Sequence, residues 1–411
     1  MTDTTTKTAA PAAPVSPDGR PEDPTIRTML RHFVRSDSAT GIAFVQVVVG
    51  LAAIWTIFAV LNHNFLSPGN LTNLSLQIVA VAAMGIGVVL VLLLGEIDLS
   101  IGSVSGLGAT AMAALNIKLG VPALLAIALA LLGGALIGLV HGLIVAAFGV
   151  PSFVVTLGGL IGWQGLQLFV FDYTGAMNVS DPLLLGITGT FFQPWLGWLL
   201  LIAGLLIRGA LVARVRSRRA KAGLVNVRPW VEGLRFGIVA IVSAAVIVMF
   251  VQDRGIPLAV LIVLGLILVM DFIARRTIFG RRIYAVGGDA QAAGRVGINV
   301  GRITVWVFML SGTFAALSGI LSATRLQSVT QGAGSGDILL NAIAAVVIGG
   351  TSLFGGRGSL WSALLGALVI GSISNGMDLL ALASPVKLMI TGAVLIAAVI
   401  FDASVRRRQA R

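Results

Sequence analysis

Glu96 and Asp98 stand two residues apart in VLLLGEIDLSIGS (91–103), inside the most apolar neighbourhood of a chain that carries only 16 acidic residues in 411. Two carboxylates at that spacing have three kinds of chemistry open to them. Asp98, or Ser100 after it, can cap a helix beginning near Ile101 by accepting from its free N–H groups. The turn can lie against a cavity or a partner, where a carboxylate accepts from backbone N–H groups or pairs with an arginine. Alternatively, Glu96 can relay protons. The solvent around the turn decides among these, so the elements that carry it come next.

Of the residues, 57% are hydrophobic and 11% charged, and the mean hydropathy is +1.00. Soluble domains hold ~25% charged residues. The composition implies an all-α, polytopic membrane protein, because the apolar runs approach the ~20 residues that a bilayer span requires. A membrane β-barrel would show alternating segments of ~10 residues instead. Twelve spans are expected: 42–62, 72–94, 101–117, 121–147, 152–171, 194–213, 235–252, 256–274, 303–323, 338–354, 359–380 and 385–402. The third and tenth are glycine-rich and short enough to be re-entrant or broken, which would leave ten crossings. Residues 1–40 lack the apolar core of a signal peptide and read as a disordered cytoplasmic tail. Residues 41–402 form the membrane domain, with a cytoplasmic loop over 274–302, and 403–411 form a basic cytoplasmic tail.

Charge placement sets the orientation. With both termini in the cytoplasm, 23 of the 28 basic residues fall inside: five in the N-terminal tail, seven from Arg214 to Arg235, six from Arg275 to Arg302, then Arg357 and the C-terminal four. Lys118, Arg254, Arg325 and Lys387 fall outside, and Arg208 lies within a span near its inner end. That asymmetry follows the positive-inside rule, and it accounts for the net charge of +12 without any nucleic-acid partner. There is no cysteine, and His32, His63 and His141 lack ligand spacing, so no metal site is expected. His141 reads as an interhelical hydrogen-bonder.

GEIDLSIGSVSGLGA resembles the corresponding stretch in permease subunits of bacterial ABC sugar importers, the branch that handles ribose, xylose and similar monosaccharides. VPSFVVTLGGL (150–160), LNAIAAVVIGGTSLFGGRGSL (340–360) and ISNGMDLL (373–380) continue the resemblance in the same order over about residues 70–402. LNAIAA and the extra apolar and basic block at 195–255 look most like the xylose type. The resemblance implies a multi-pass bacterial inner-membrane subunit that pairs with a second copy. It also implies cytosolic ATPase subunits, an extracytoplasmic sugar-binding protein and a small sugar as cargo. The chain has no G-x-x-x-x-G-K-[ST] phosphate loop, so any ATP would be bound by the partner, and the chain itself would need no cofactor.

Within 274–302, QAAGRVG resembles the E-A-A-x-x-x-G signature of ABC-importer permeases, with Gln291 in place of the usual glutamate. A short helix over 289–296 is expected, capped by Asp289 and closed by Gly297. Asp289, Gln291, Ala292, Ala293, Arg295 and Gly297 are the residues the resemblance assigns to ATPase coupling; a plain solvated loop is the simpler reading. Glu96, Asp98, Gly349 and Gly350 are expected at a cytoplasmic rim, where GEIDLSIG and GGTSLFGG share spacing and suggest an internal repeat. Polar and aromatic residues within spans are candidates for the translocation pathway, Phe153, Thr156, Gln164, Asn341 and Asn375 foremost, since each costs energy in lipid unless it faces a cavity or a partner. Gln77, Ser105, Ser372, Trp163 and Phe314 are further candidates. A stand-alone ion-coupled carrier is the alternative function; it would need an ionisable residue near mid-membrane.

Overall fold

The computed structural model describes residues 39–172, 175–223, 229–394 and 396. Residues 1–38 of the expected N-terminal tail, the expected C-terminal tail, and residues 395 and 397–402 of the last expected span lie outside those residues. Among the described residues, eight helices are long and apolar enough to cross a membrane.

The centre is α2 (Pro68–Leu94), which Ser67 caps, Pro68 opens and Gly95 closes in the left-handed conformation at φ 82°. Almost every residue of its second half is buried. Around it stand α1 (Ala39–Leu61), α3 (Ile101–Ala113) with one π-helical turn at Ala114–Lys118, α4 (Ala123–Phe148), α5 (Ser152–Phe171) and α6 (Pro182–Gly189). A peripheral hairpin, α7 (Pro194–Lys221) and α8 (Pro229–Val251), precedes α9 (Leu258–Arg276). Two short helices follow, α10 (Ile278–Gly288) and α11 (Ala290–Arg295). The long α12 (Val300–Leu326), the short α13 (Gly336–Ile348), α14 (Trp361–Leu379) and helical residues 384–394 complete the bundle. α12 packs on α4, α2 and α3, while α14 packs on α2, α13 and α1.

Two small antiparallel ribbons tie the end of the bundle opposite α11. β1 (Ala176–Asn178) pairs with β4 (Ser328–Thr330), joining the segments that follow α5 and α12. β2 (Phe191–Phe192) pairs with β3 (Ile256–Pro257).

The structure selects one of two readings for one expected span and corrects one expected loop. The tenth expected span, 338–354, is helical only to Ile348; α13 has 13 residues, about 20 Å of helix against a hydrocarbon core of about 30 Å. Beyond it the glycine-rich segment 349–360 turns back into α14. The loop expected over 274–302 is largely helical, and its apolar Ile283 and Val286 are buried within the bundle.

Close approach of backbones holds α4 against α12. Gly134, Gly138 and Gly142 recur every fourth residue on α4, and a Cβ on Gly138 would stand 2.1 Å from the Phe308 carbonyl oxygen. In lipid, where burying apolar surface gives no net drive between helices, such contact is what binds them. Gly134 and its neighbour Gly133 make a matched test: a Cβ on Gly134 meets the Gly312 carbonyl oxygen at 2.4 Å, while one on Gly133 meets nothing within 4 Å. Gly134→Ala is expected to destabilise the detergent-solubilised chain by about 1–3 kcal/mol. Gly133→Ala should be neutral or stabilising by up to about 1 kcal/mol. Thermal unfolding of the two variants reads the difference.

Candidate functional site

The Glu96–Asp98 turn lies between the end of α2 and the start of α3. Glu96 is half-buried and Asp98 is buried. Asp98 Oδ1 accepts from the Ser100 backbone N–H at 3.0 Å and from the Ser100 hydroxyl at 2.6 Å, and Oδ2 accepts from the Ser311 hydroxyl at 2.9 Å. Ser311 stands eleven residues into α12, about 16 Å along that helix from its start. The carboxylate is therefore drawn into the bundle. Neither Asp98 nor Ser100 caps α3, because Ser100 has no side-chain bond to the first helical N–H groups and gives its hydroxyl to Asp98. No arginine or lysine pairs with Asp98 among the described residues.

The network continues. Ser100 Oγ lies 3.3 Å from His141 Nδ1, and the Trp163 indole N–H donates to His141 Nε2 at 2.9 Å. An indole nitrogen only donates, so Nε2 accepts and the ring proton of the neutral imidazole sits on Nδ1, facing Ser100. α5 also grips the turn from its own side: the Ser152 and Thr156 hydroxyls accept from the Ile97 and Leu99 N–H groups at 3.0 and 3.1 Å. One carboxylate thus joins four helices, α3 and α12 directly and α4 and α5 through Ser100, His141 and Trp163.

Below this tie is a shelf of backbone contacts. The Gly356 N–H donates to the Leu93 carbonyl at 3.0 Å, the Tyr284 hydroxyl to the Gly358 carbonyl at 3.0 Å, and Arg275 to Ser359 Oγ at 2.9 Å. Burial pushes the Tyr284 phenol above the ordinary tyrosine range, so it stays a donor at physiological pH. A Cβ on Gly287 would overlap the Leu93 carbonyl oxygen at 1.7 Å; α10 therefore seats directly on the end of α2. Gly349 packs on the Ser362 backbone, and Gly350 holds φ at 97°.

α11 hangs from this shelf. Asp289 Oδ1 accepts from the Ala292 N–H at 2.9 Å and caps it, while Gly297, at φ 85°, follows its end. Ala293 is buried against the bundle, whereas Asp289, Gln291, Ala292 and Arg295 are exposed. Asn299 then caps α12 by accepting from the Arg302 N–H. Only residues 296–299 separate α11 from α12.

The expected pathway residues do not gather in one place. Thr156 is buried in the turn network, and Phe153 and Gln164 lie exposed on α5. Asn375 is buried between α14 and α2, accepting from Asn70 at 2.8 Å and donating to Gln77 at 3.4 Å. Phe314 is a core side chain. Asn341 lines a cavity of about 350 Å³ with Ser374, Asp378, Lys387 and Thr391, and Lys387 pairs with Asp378 across it. Sequence reasoning missed Ser311, Ser152 and Gln167, whose amide donates to the Ala333 carbonyl at 3.0 Å.

Removing one partner of a buried charged hydrogen bond strands the other. A double-mutant cycle of Asp98→Asn with Ser311→Ala is expected to give a coupling of about 1.5–3 kcal/mol in unfolding free energy. Pairing Asp98→Asn with Ser318→Ala should give less than about 0.5 kcal/mol.

Residues 70–399 match the family described as branched-chain amino acid transport system, permease component. The xylose transport system permease protein XylH of Escherichia coli K12 is 36% identical over 367 residues, covering 88% of this chain and 93% of its own. XylH of Haemophilus influenzae is 33% identical over 370 residues, covering 88% and 96%. The ribose import permease protein RbsC of Escherichia coli K12 is 33% identical over 355 residues, covering 86% and 92%. No solved structure matches the chain. A helical bundle of long apolar spans, a short capped helix hung on their ends and near-complete alignment to transport permeases lead to one conclusion: the chain is a multi-pass inner-membrane protein that belongs to this permease family, similar to its xylose and ribose members.

Proposed function

We propose that the chain is the translocating subunit of an ATP-driven importer for a monosaccharide, with a xylose-like pentose favoured. The observation that carries this reading is the alignment with the xylose permeases across nearly the whole length of both chains. The chain threads the membrane with ten to twelve crossing or re-entrant helices, α7 and α8 included, with both termini in the cytoplasm. α11 then lies on the cytoplasmic side.

ATP is bound and split by separate cytosolic subunits that grip the exposed face of α11 at Gln291, Ala292 and Arg295, while Asp289 and Gly297 fix its ends and Ala293 anchors it to the bundle. Closure of the ATPases pulls on α11. The pull passes along α12 to Ser311, across Asp98 to the Glu96–Ser100 turn, and through His141, Trp163 and Thr156 to α5. A second copy of the chain completes the path along the exposed face of α5, with Phe153 and Gln164, and an extracytoplasmic binding protein delivers the sugar. The exchange between inward- and outward-open arrangements is a rigid-element switch driven by binding at a distance.

The buried Asp98 is the one observation that favours an ion-coupled carrier, since such carriers place an ionisable group within the membrane. Its oxygens are committed to Ser100 and Ser311, which suits a structural tie better than an ion site.

Uptake of labelled pentose into proteoliposomes decides between the two. Uptake that requires the ATPase subunits and ATP is the expected result; uptake by this chain alone on a proton or sodium gradient would refute the proposal. Ala292→Arg is expected to weaken co-purification of the ATPase by roughly tenfold or more, with membrane insertion unchanged.

A further inference from the structure

We propose that the α11-side end of the α7–α8 hairpin binds the headgroups of acidic phospholipids; the leaflet concerned rests on the orientation proposed above. α7 runs for 28 residues, about 42 Å, while the hydrocarbon core is about 30 Å thick. Its last two turns therefore stand at headgroup depth. They carry Arg214, Arg218 and Lys221 along one face at steps of four and three, with Arg216 and Arg219 beside them. All but the half-buried Arg216 are exposed. Arg216 pairs with Glu232 at 3.0 Å; the other four make no ion pair among the described residues.

The hairpin's packing says what surrounds these cations. α7 and α8 pack chiefly on each other, and α8 touches α2 and β3. No described residue between Gly197 and Ile247 is buried. The buried points, Gly197, Ile247 and Phe250, are at the opposite end, where Gly197 sits against Ile247 and Ile256. The stem exposes Leu199, Ile202, Leu206, Ile207 and Leu211. The stem is thus open to lipid through its depth, and the phosphates of the surrounding leaflet are the anions offered to these cations, which make no ion pair among the described residues. A cluster of four to eight basic residues just beyond a membrane helix is the pattern that recruits acidic lipid. An acidic surface of the ATPase is the competing partner.

Trp230, exposed at the start of α8, is a native reporter for the site. The chain is placed in nanodiscs of phosphatidylcholine with phosphatidylglycerol as minority lipid, and bromine is carried on the acyl chains of one lipid or the other. The fluorescence lost on Trp230→Phe isolates the reporter. Brominated phosphatidylglycerol is expected to quench it with an apparent affinity at least roughly fivefold above brominated phosphatidylcholine, since one basic residue near an anionic surface supplies about that factor. Arg214→Gln, Arg218→Gln, Arg219→Gln and Lys221→Gln together should abolish the preference, and Arg214→Lys with Arg218→Lys should keep it. Equal quenching by both lipids, or a preference that survives the glutamine variant, would overturn the site. ATPase co-purification lost in the glutamine variant with lipid preference unchanged would assign the patch to the ATPase instead. ATP-driven uptake by the same preparation reports separately on the proposed function: uptake without any lipid preference removes this site alone.

Discussion

The architecture depends on one buried carboxylate. A charged side chain in the membrane is costly unless it is enclosed and hydrogen-bonded, and Asp98 meets that condition by drawing Ser100 and Ser311 to its two oxygens. The requirement runs in both directions. Asp98 is tolerated because α3 and α12 stand where their hydroxyls reach it, and those helices are held in register because it must be satisfied. The small residues of the neighbourhood serve the same end. Gly87 brings α2 to within 3.1 Å of the Ser311 backbone, measured from a built Cβ, and Gly319 brings α12 against Ser105. A bulkier lining would keep the carboxylate from its partners.

Under the proposed function, the same tie makes the bundle a linkage. α11 is short, capped and seated on a shelf of backbone contacts, so it moves with that shelf. α12 leaves α11 directly and carries Ser311; α5 reaches the same turn from the far side through Ser152, Thr156 and Trp163. Two long helices otherwise separated by α3 and α4 share one anchored turn. Polar networks of this kind have discrete arrangements, which suits a part that must hold one of two positions.

Much of this was legible from local chemistry. Asp289 and Gly297 bracket α11 because a side-chain cap and a left-handed glycine act over three or four residues. The long apolar runs became helices for the reason that lipid leaves the backbone no other partner. His141 joins helices as expected of a lone intramembrane histidine. What stayed hidden was contact between residues far apart in sequence. Ser311 is one hydroxyl among many in a small-residue run, and nothing local marks it as the partner of a carboxylate 213 positions away. The same blindness made Asp98 and Ser100 look like caps. The glycines of 338–354 marked that stretch as short enough to be re-entrant or broken, while the close approach of Gly349 to Ser362 that turns the chain is a tertiary fact.

The claim that force crosses Asp98 is tested most directly by the number of sugars moved per ATP split, measured with the assembled transporter in proteoliposomes for the unmodified chain and for Asp98→Ala. The account predicts that hydrolysis persists in the variant while transport per ATP collapses, because the engine still turns and the tie to α5 is cut. A variant that keeps the ratio of the unmodified chain would contradict it.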